Sequence, residues 1–237
     1  MADKRAWWNA DGFAAVLALA VVVMLASGMG CGGAGDEGEG AEDVAATEEA
    51  SADEEGDGED AGDTLTWTND QSRLAGDKAA NFVAFTFEYP ADWRVIEDGT
   101  QPDNTSPNFV KVERATDDQI TIENFAVGWY SGAGASDVMA MLEPQFAGSF
   151  PNYQKVADQT SSIDGVESPG FLFQARIDTA GGPVQFYGRA LAVPVSDTKG
   201  ILIIMFASDL AEGVDGPEDV GEEGQMPVIV ESFDIQE

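Results

Sequence analysis

The chain has 237 residues, 11 of them basic and 44 acidic, with no histidine and one cysteine, for a formal net charge of −33. A surface of that sign repels phosphate backbones, which are bound through clustered Lys and Arg, so nucleic acid is excluded as a partner. The missing histidine removes Ser-His-Asp and Cys-His catalysis and every imidazole metal site.

In chain order, residues 1–30 read as a signal peptide. Lys4 and Arg5 form a short basic start, and Phe13 to Ala26 is an uncharged apolar run. That run is short for a bilayer span, which takes about 20 residues, and suits a signal core. Ser27, Gly28 and Gly30 are small, as a cleavage site requires, and Cys31 follows at once. This arrangement resembles a bacterial lipoprotein signal, in which the cysteine is lipidated on sulfur and becomes the first residue of the mature chain. It departs from that pattern at Gly28, where Leu is usual, and at Met29. The alternative is an uncleaved anchor over about residues 12–30. In either case the basic end stays in the cytoplasm and the rest faces outward. The expected location is extracytoplasmic, lipid-anchored to a bacterial membrane, in the periplasm or at the cell surface.

Residues 31–64 read as the lipidated Cys31 and a disordered acidic linker. Residues 36–63 hold 14 acids and no base. A Gly, Ala, Asp and Glu tract has too little to bury to offset its ordering entropy, and its like charges extend it. It reads as a tether that stands a domain off a membrane. Two chance matches sit here. "GCGGAG" fits a dinucleotide fingerprint but lacks the strand before and the helix after. Asp53, Glu55, Asp57 and Gly58 mimic the start of a calcium loop, but its twelfth position is Thr64, where a bidentate Glu is needed. No metal and no cofactor are expected.

Residues 65–237 read as one globular domain. Residues 64–237 still carry 28 acids against 9 bases, a surplus that serves solubility or adaptation to a salty habitat as readily as recognition. "FVAFTFEYPADWRVIED" predicts a strand, a corner at Pro90 and a second strand starting at Trp93. "FVKVERA" and "QITIENFAVGWY" alternate with period two and predict a hairpin around residues 116–118. Ser136 is expected as an N-cap with Asp137 in the first turn. Val138, Leu142 and Phe146 share a helical face, and Pro144 predicts a break or kink. "GFLFQARID" sets Phe171, Phe173, Ala175 and Ile177 on one side of a strand. The turn "TAGGP" leads into "VQFYGRALAVPV". "GILIIMFA" is apolar throughout, as in a central strand covered on both faces. Pro227 can open a short final helix. The fold class is α+β, an antiparallel sheet flanked by helices.

"FTFEYPADWRV", through Phe87, Tyr89, Pro90 and Trp93, resembles the opening of the PsbP-like superfamily, which includes PsbP and the DcrB-like lipoproteins. "VESFDI", with Ser232 and Phe233, resembles its closing helix. The resemblance implies an α/β/α sandwich around an antiparallel sheet and little about chemistry, since members of the family bind different partners.

Tyr89, Pro90 and Trp93 are expected as structural anchors. Trp129 and Tyr130 close a strand ahead of the "SGAGAS" loop. Neighbouring strand residues point to opposite faces; the plain reading is a packed Trp129 and a surface Tyr130, and the functional one is a contact patch for a partner at the sheet edge. Arg176 and Arg189 are scarce cations on neighbouring strands; the plain reading is pairing with nearby acids, and the alternative is contact with a partner's anion or carboxylate. With 28 acids in the domain, no carboxylate pair is informative, and no catalytic residue is expected. The function read from the sequence is a membrane-anchored binding or assembly module with an unknown protein partner. The alternatives are a small-ligand or cation carrier and a histidine-free hydrolase.

Overall fold

The structure, a computed structural model, describes residues 63–97, 108–179 and 182–236. The signal peptide, Cys31, nearly all of the acidic linker and its calcium-like stretch lie outside the described residues.

The ten strands there are β1 (Thr64–Thr68), β2 (Phe85–Pro90), β3 (Arg94–Glu97), β4 (Asn108–Ala115), β5 (Thr121–Ser131), β6 (Gln154–Ile163), β7 (Val166–Thr179), β8 (Gly182–Ser196), β9 (Lys199–Ser208) and β10 (Asp234–Ile235). The helices are α1 (Gly76–Ala80), α2 (Ala135–Ser149) and α3 (Pro227–Glu231). Seven strands form one antiparallel sheet in the order β3-β4-β5-β9-β8-β7-β6, and a smaller sheet has the order β1-β2-β10. This is the α+β fold expected, a sheet flanked by helices.

Period two sorts the side chains of the large sheet onto two cores. β9 shows it best. Ile201, Ile203 and Met205 enter one core and Leu202, Ile204 and Phe206 the other. Its unbroken apolar run is thus explained by cover on both faces, between β5 and β8. On the first face β2 lays Phe85, Phe87 and Tyr89 against Phe125, Val127 and Val112. Phe233 stacks on Phe85 and Phe87, with centroids 5.3 and 5.8 Å apart. On the second face Val138, Leu142 and Phe146 of α2 meet Phe171, Phe173 and Phe206, and Phe146 stands edge-on to Phe173 at 4.9 Å. Where the family resemblance implies helices on both faces, the first face combines α3 with the small sheet.

Three local expectations are corrected. The N-cap of α2 is Gly134, extended at φ −71° and ψ 156°, and Ser136 lies inside the first turn with Asp137. The glycine carbonyl accepts from Val138 N at 3.0 Å, which starts the helix ahead of the serine. Pro144 does not end α2, which continues to Ser149. The proline and Ala140, whose carbonyl loses its donor, are both exposed, so water can take that bond while the opposite face stays packed. At the C-terminus α3 stops at Glu231. Ser232 caps it, its Oγ donating to Val228 O at 2.6 Å and accepting from Glu88 N at 2.8 Å, and Asp234–Ile235 then pair with β2. The Ser-Phe pair therefore lies between the end of α3 and β10, not within a helix.

Candidate interaction surface

The corner after β2 is a turn in which Trp93 N donates to Pro90 O at 3.0 Å, so β3 begins one residue later than expected, at Arg94. Tyr89, Pro90 and Trp93 are all buried. The Trp93 indole packs in the first core and its Nε1 donates to Gln225 Oε1 at 2.8 Å. The corner is thereby tied to a segment 132 residues further along the chain.

Trp129 and Tyr130 do point to opposite faces. Trp129 is half-buried and packs at the rim of the first core. Tyr130 has no exposed surface, so a partner cannot reach it. Its ring lies over Gly200, where a Cβ would stand 2.6 Å from the phenol oxygen. Burial pushes its hydroxyl up to about 12. Of the two, only Trp129 keeps any exposed surface.

The two arginines are not brought together. Arg176 sits opposite Gln185, and Arg189 opposite Leu172, four residues along β7. Arg176 is exposed. Arg189 is 6% exposed and already engaged, with Nη1 on Glu222 Oε1 at 2.6 Å and Nη2 on Glu218 O at 2.7 Å. It is therefore paired with one of the chain's own carboxylates, as its acidic surroundings lead one to expect, and the alternative of an open anion contact is set aside for it.

Arg189 belongs to a device the sequence reading missed. Residues 209–226 form a strap across the first face, with Ala211, Val214, Val220 and Met226 buried in the core. Its second clamp is Glu123 of β5, fully buried. Oε1 of Glu123 accepts from Gln225 N at 3.0 Å and from Met226 N at 3.3 Å, while Oε2 lies 2.7 Å from Arg114 Nη2. Gly224 permits the approach. Its φ is +75°, and a Cβ there would stand 2.5 Å from Glu123 Oε1. Burial raises the Glu123 carboxyl above the ordinary glutamate value, outweighing Arg114 and the two amides. A signal existed in the sequence. In "TIENFAVGW" the alternation that turns Phe125, Val127 and Trp129 inward also turns Glu123 inward, and an inward charge needs a partner.

The open surfaces are the outer strands. β6 is mostly exposed, with polar side chains and a bulge between Lys155 and Ala157, features that blunt an edge against aggregation. Among the described residues no group of three or more Cys, Asp or Glu is placed to hold a metal ion, and no helix is long and apolar enough to cross a membrane.

No protein-family model matches the sequence, and no curated protein matches it. Among solved structures, LpqN, involved in cell envelope biogenesis of Mycobacterium tuberculosis, is 10% identical with a TM-score of 0.45, over 73% of this chain and 92% of that one. A protein from Bacteroides thetaiotaomicron is 12% identical with a TM-score of 0.37, over 65% of this chain and 45% of its own. A Pseudomonas aeruginosa protein of unknown function is 10% identical with a TM-score of 0.28, over 52% and 76%. None of these likenesses assigns a function to this chain.

Proposed function

We propose that this chain is an extracytoplasmic lipoprotein, anchored through Cys31, whose acidic linker holds a non-catalytic, PsbP-like binding domain away from the membrane. The observation that carries the binding role is the packing. Aromatic and aliphatic side chains fill both faces of the large sheet, so recognition falls to the outer surfaces, with Trp129 at one rim. This favours a binding module over a carrier, which would enclose its ligand within the sheet layers. The anchor rests on the apolar run and on Cys31, and the acidic surface favours a partner with basic contact residues.

Two experiments test the two parts. Intact-mass analysis of membrane-extracted protein should show a chain starting at Cys31 with added acyl mass, and Cys31→Ser should abolish it. A free Met1 without acyl mass rejects the anchor. For the binding role, a photo-crosslinking residue at Ser131, beside Trp129, should give one discrete adduct in membranes from expressing cells. The same residue at Asp118, in the β4–β5 turn, should give none. Equal labelling at both positions, or none at Ser131, rejects Trp129 as the contact.

A further inference from the structure

We infer that the strap over residues 209–226 is a salt-responsive cover, pushed open by its own carboxylates at low ionic strength and closed when they are screened. It holds seven acids and no base in 18 residues. Four of them, Asp209, Asp215, Glu218 and Asp219, lie close enough to Tyr187 on β8 to oppose its ionisation, after burial. They are therefore crowded over one part of the sheet. Between its ends the strap is stitched mainly by its own turns, such as Val214 N to Ala211 O and Glu222 N to Asp219 O, and by two amide bonds to Asp219 Oδ2. Among the described residues its one bridge pairing, Val220 with Glu223, is internal.

Its polar attachments to the sheet and the corner are few. They include Arg189 to Glu222 and to the Glu218 carbonyl, the Glu123 carboxylate to two amides, Trp93 to Gln225, Asp209 N to Gln185 O, and Leu210 N and Ala211 N to Ser208 of β9, beside the apolar seating of Ala211, Val214, Val220 and Met226. Only one of these is an ion pair, and its guanidinium is buried. The pair of Glu123 with Arg114 lies wholly within the sheet and survives opening.

Salt acts unequally on this balance. The Debye length shrinks from about 30 Å at 0.01 M to about 3 Å at 1 M, and exposed charges are screened far more than buried ones. Salt therefore weakens the repulsion among the exposed carboxylates and largely spares the attachments, which closes the strap. Opening frees Trp93 Nε1 from Gln225 and uncovers Met205, whose sulfur would stand 3.1 Å from a Cβ at Gly221.

The test is hydrogen exchange on the full chain in detergent at about 0.01 M and about 1 M NaCl, each rate normalised to the unfolded chain at the same salt. Strap amides should exchange roughly tenfold faster at low salt, while β9 amides keep their protection. In Asp209→Asn/Asp215→Asn/Glu218→Gln, which neutralises the three exposed members of that crowded set and spares Asp219 with its amide bonds, the strap should stay protected at both salts. Three outcomes would each overturn the inference: strap exchange independent of salt, a parallel change in β9 that marks opening of the whole domain, or an undiminished response in the triple variant.

Discussion

Two side chains show how burial decides what a residue does here. Trp93 is 3% exposed, and its indole nitrogen is bonded to the strap. Truncating a buried Trp costs about 3–5 kcal/mol, a large part of the roughly 5–15 kcal/mol that holds a domain folded. Trp93→Ala should therefore lower the melting temperature steeply. Half-buried Trp129 should cost less on truncation, about 1–3 kcal/mol. A thermal melt of both variants beside wild type orders them, and a larger loss at Trp129 would reverse the assignment. Glu123 gives the sharper contrast. Its folded pKa is raised, so above the ordinary glutamate value the folded chain keeps a proton that the unfolded chain has released. The stability tied to this group is present at low pH and is lost as pH rises through that window. Glu123→Gln keeps an oxygen for the Gln225 and Met226 amides and removes the titration. Its NH2 then stands where Oε2 faced Arg114 Nη2, donor against donor, so the substitution should cost about 1–3 kcal/mol at neutral pH and flatten the fall in stability above the glutamate range. Glu123→Ala orphans Arg114 and both amides and should cost about 3–5 kcal/mol. Equal losses in the two variants would mean that the charge itself, not the acceptor oxygen, holds the strap.

At the scale of elements, the central strands were legible, while β1, β6, β10 and the strap were not. The apolar run of β9, the alternation along β5 and β7 and the hairpin at residues 116–118 are local patterns, and short-range sterics and side-chain periodicity suffice to read them. The cover of the first face is not local. Glu123 reaches Gln225 across 102 residues, and Ser232 reaches Glu88 across 144. A Gly- and acid-rich stretch such as 209–226 has the composition of a loop, and only the partners folded beneath it reveal that Val214, Val220 and Met226 are core. The same distance hid the fate of Arg189, which composition marks only as a scarce cation. Gly224 is where this tertiary demand is most exacting, because it needs both a positive φ and an empty Cβ position. Gly224→Ala should cost more than the roughly 1 kcal/mol typical of a glycine in left-handed backbone, since the new methyl also meets the Glu123 carboxylate. Gly213→Ala in the same strap has a similar φ, with its nearest neighbour at 3.5 Å. It should show the backbone penalty alone. Denaturant melts of the pair separate the two contributions, and equal losses would remove the steric part.

For the whole molecule, the decisive feature is where the folded unit begins. β1 is bound into the small sheet from its first residue, with Thr64 opposite Pro90 and Leu65 opposite Tyr89, and Ala91 N donates to Asp63 O at 2.9 Å. Before that point the sequence holds 14 acids in 28 residues with almost nothing to bury, and such a tract does not offset its ordering entropy. The boundary should therefore be sharp. Trypsin cannot find it, because no Lys or Arg lies between Arg5 and Arg73. A Glu-specific protease has sites at Glu37, Glu39, Glu42, Glu48, Glu49, Glu54, Glu55 and Glu59. Mild digestion at about 1 M NaCl, where the strap is closed, should remove this tract within minutes and stop at a fragment beginning at Asp60. Glu88 of β2 should resist, although its side chain is exposed, because its backbone is held between β1 and Ser232. If the tract is a tether, the fragment should melt at the temperature of the full chain. Protection of the tract's glutamates, or a fragment that unfolds once they are gone, would show that the acidic stretch belongs to the folded domain and is not its tether.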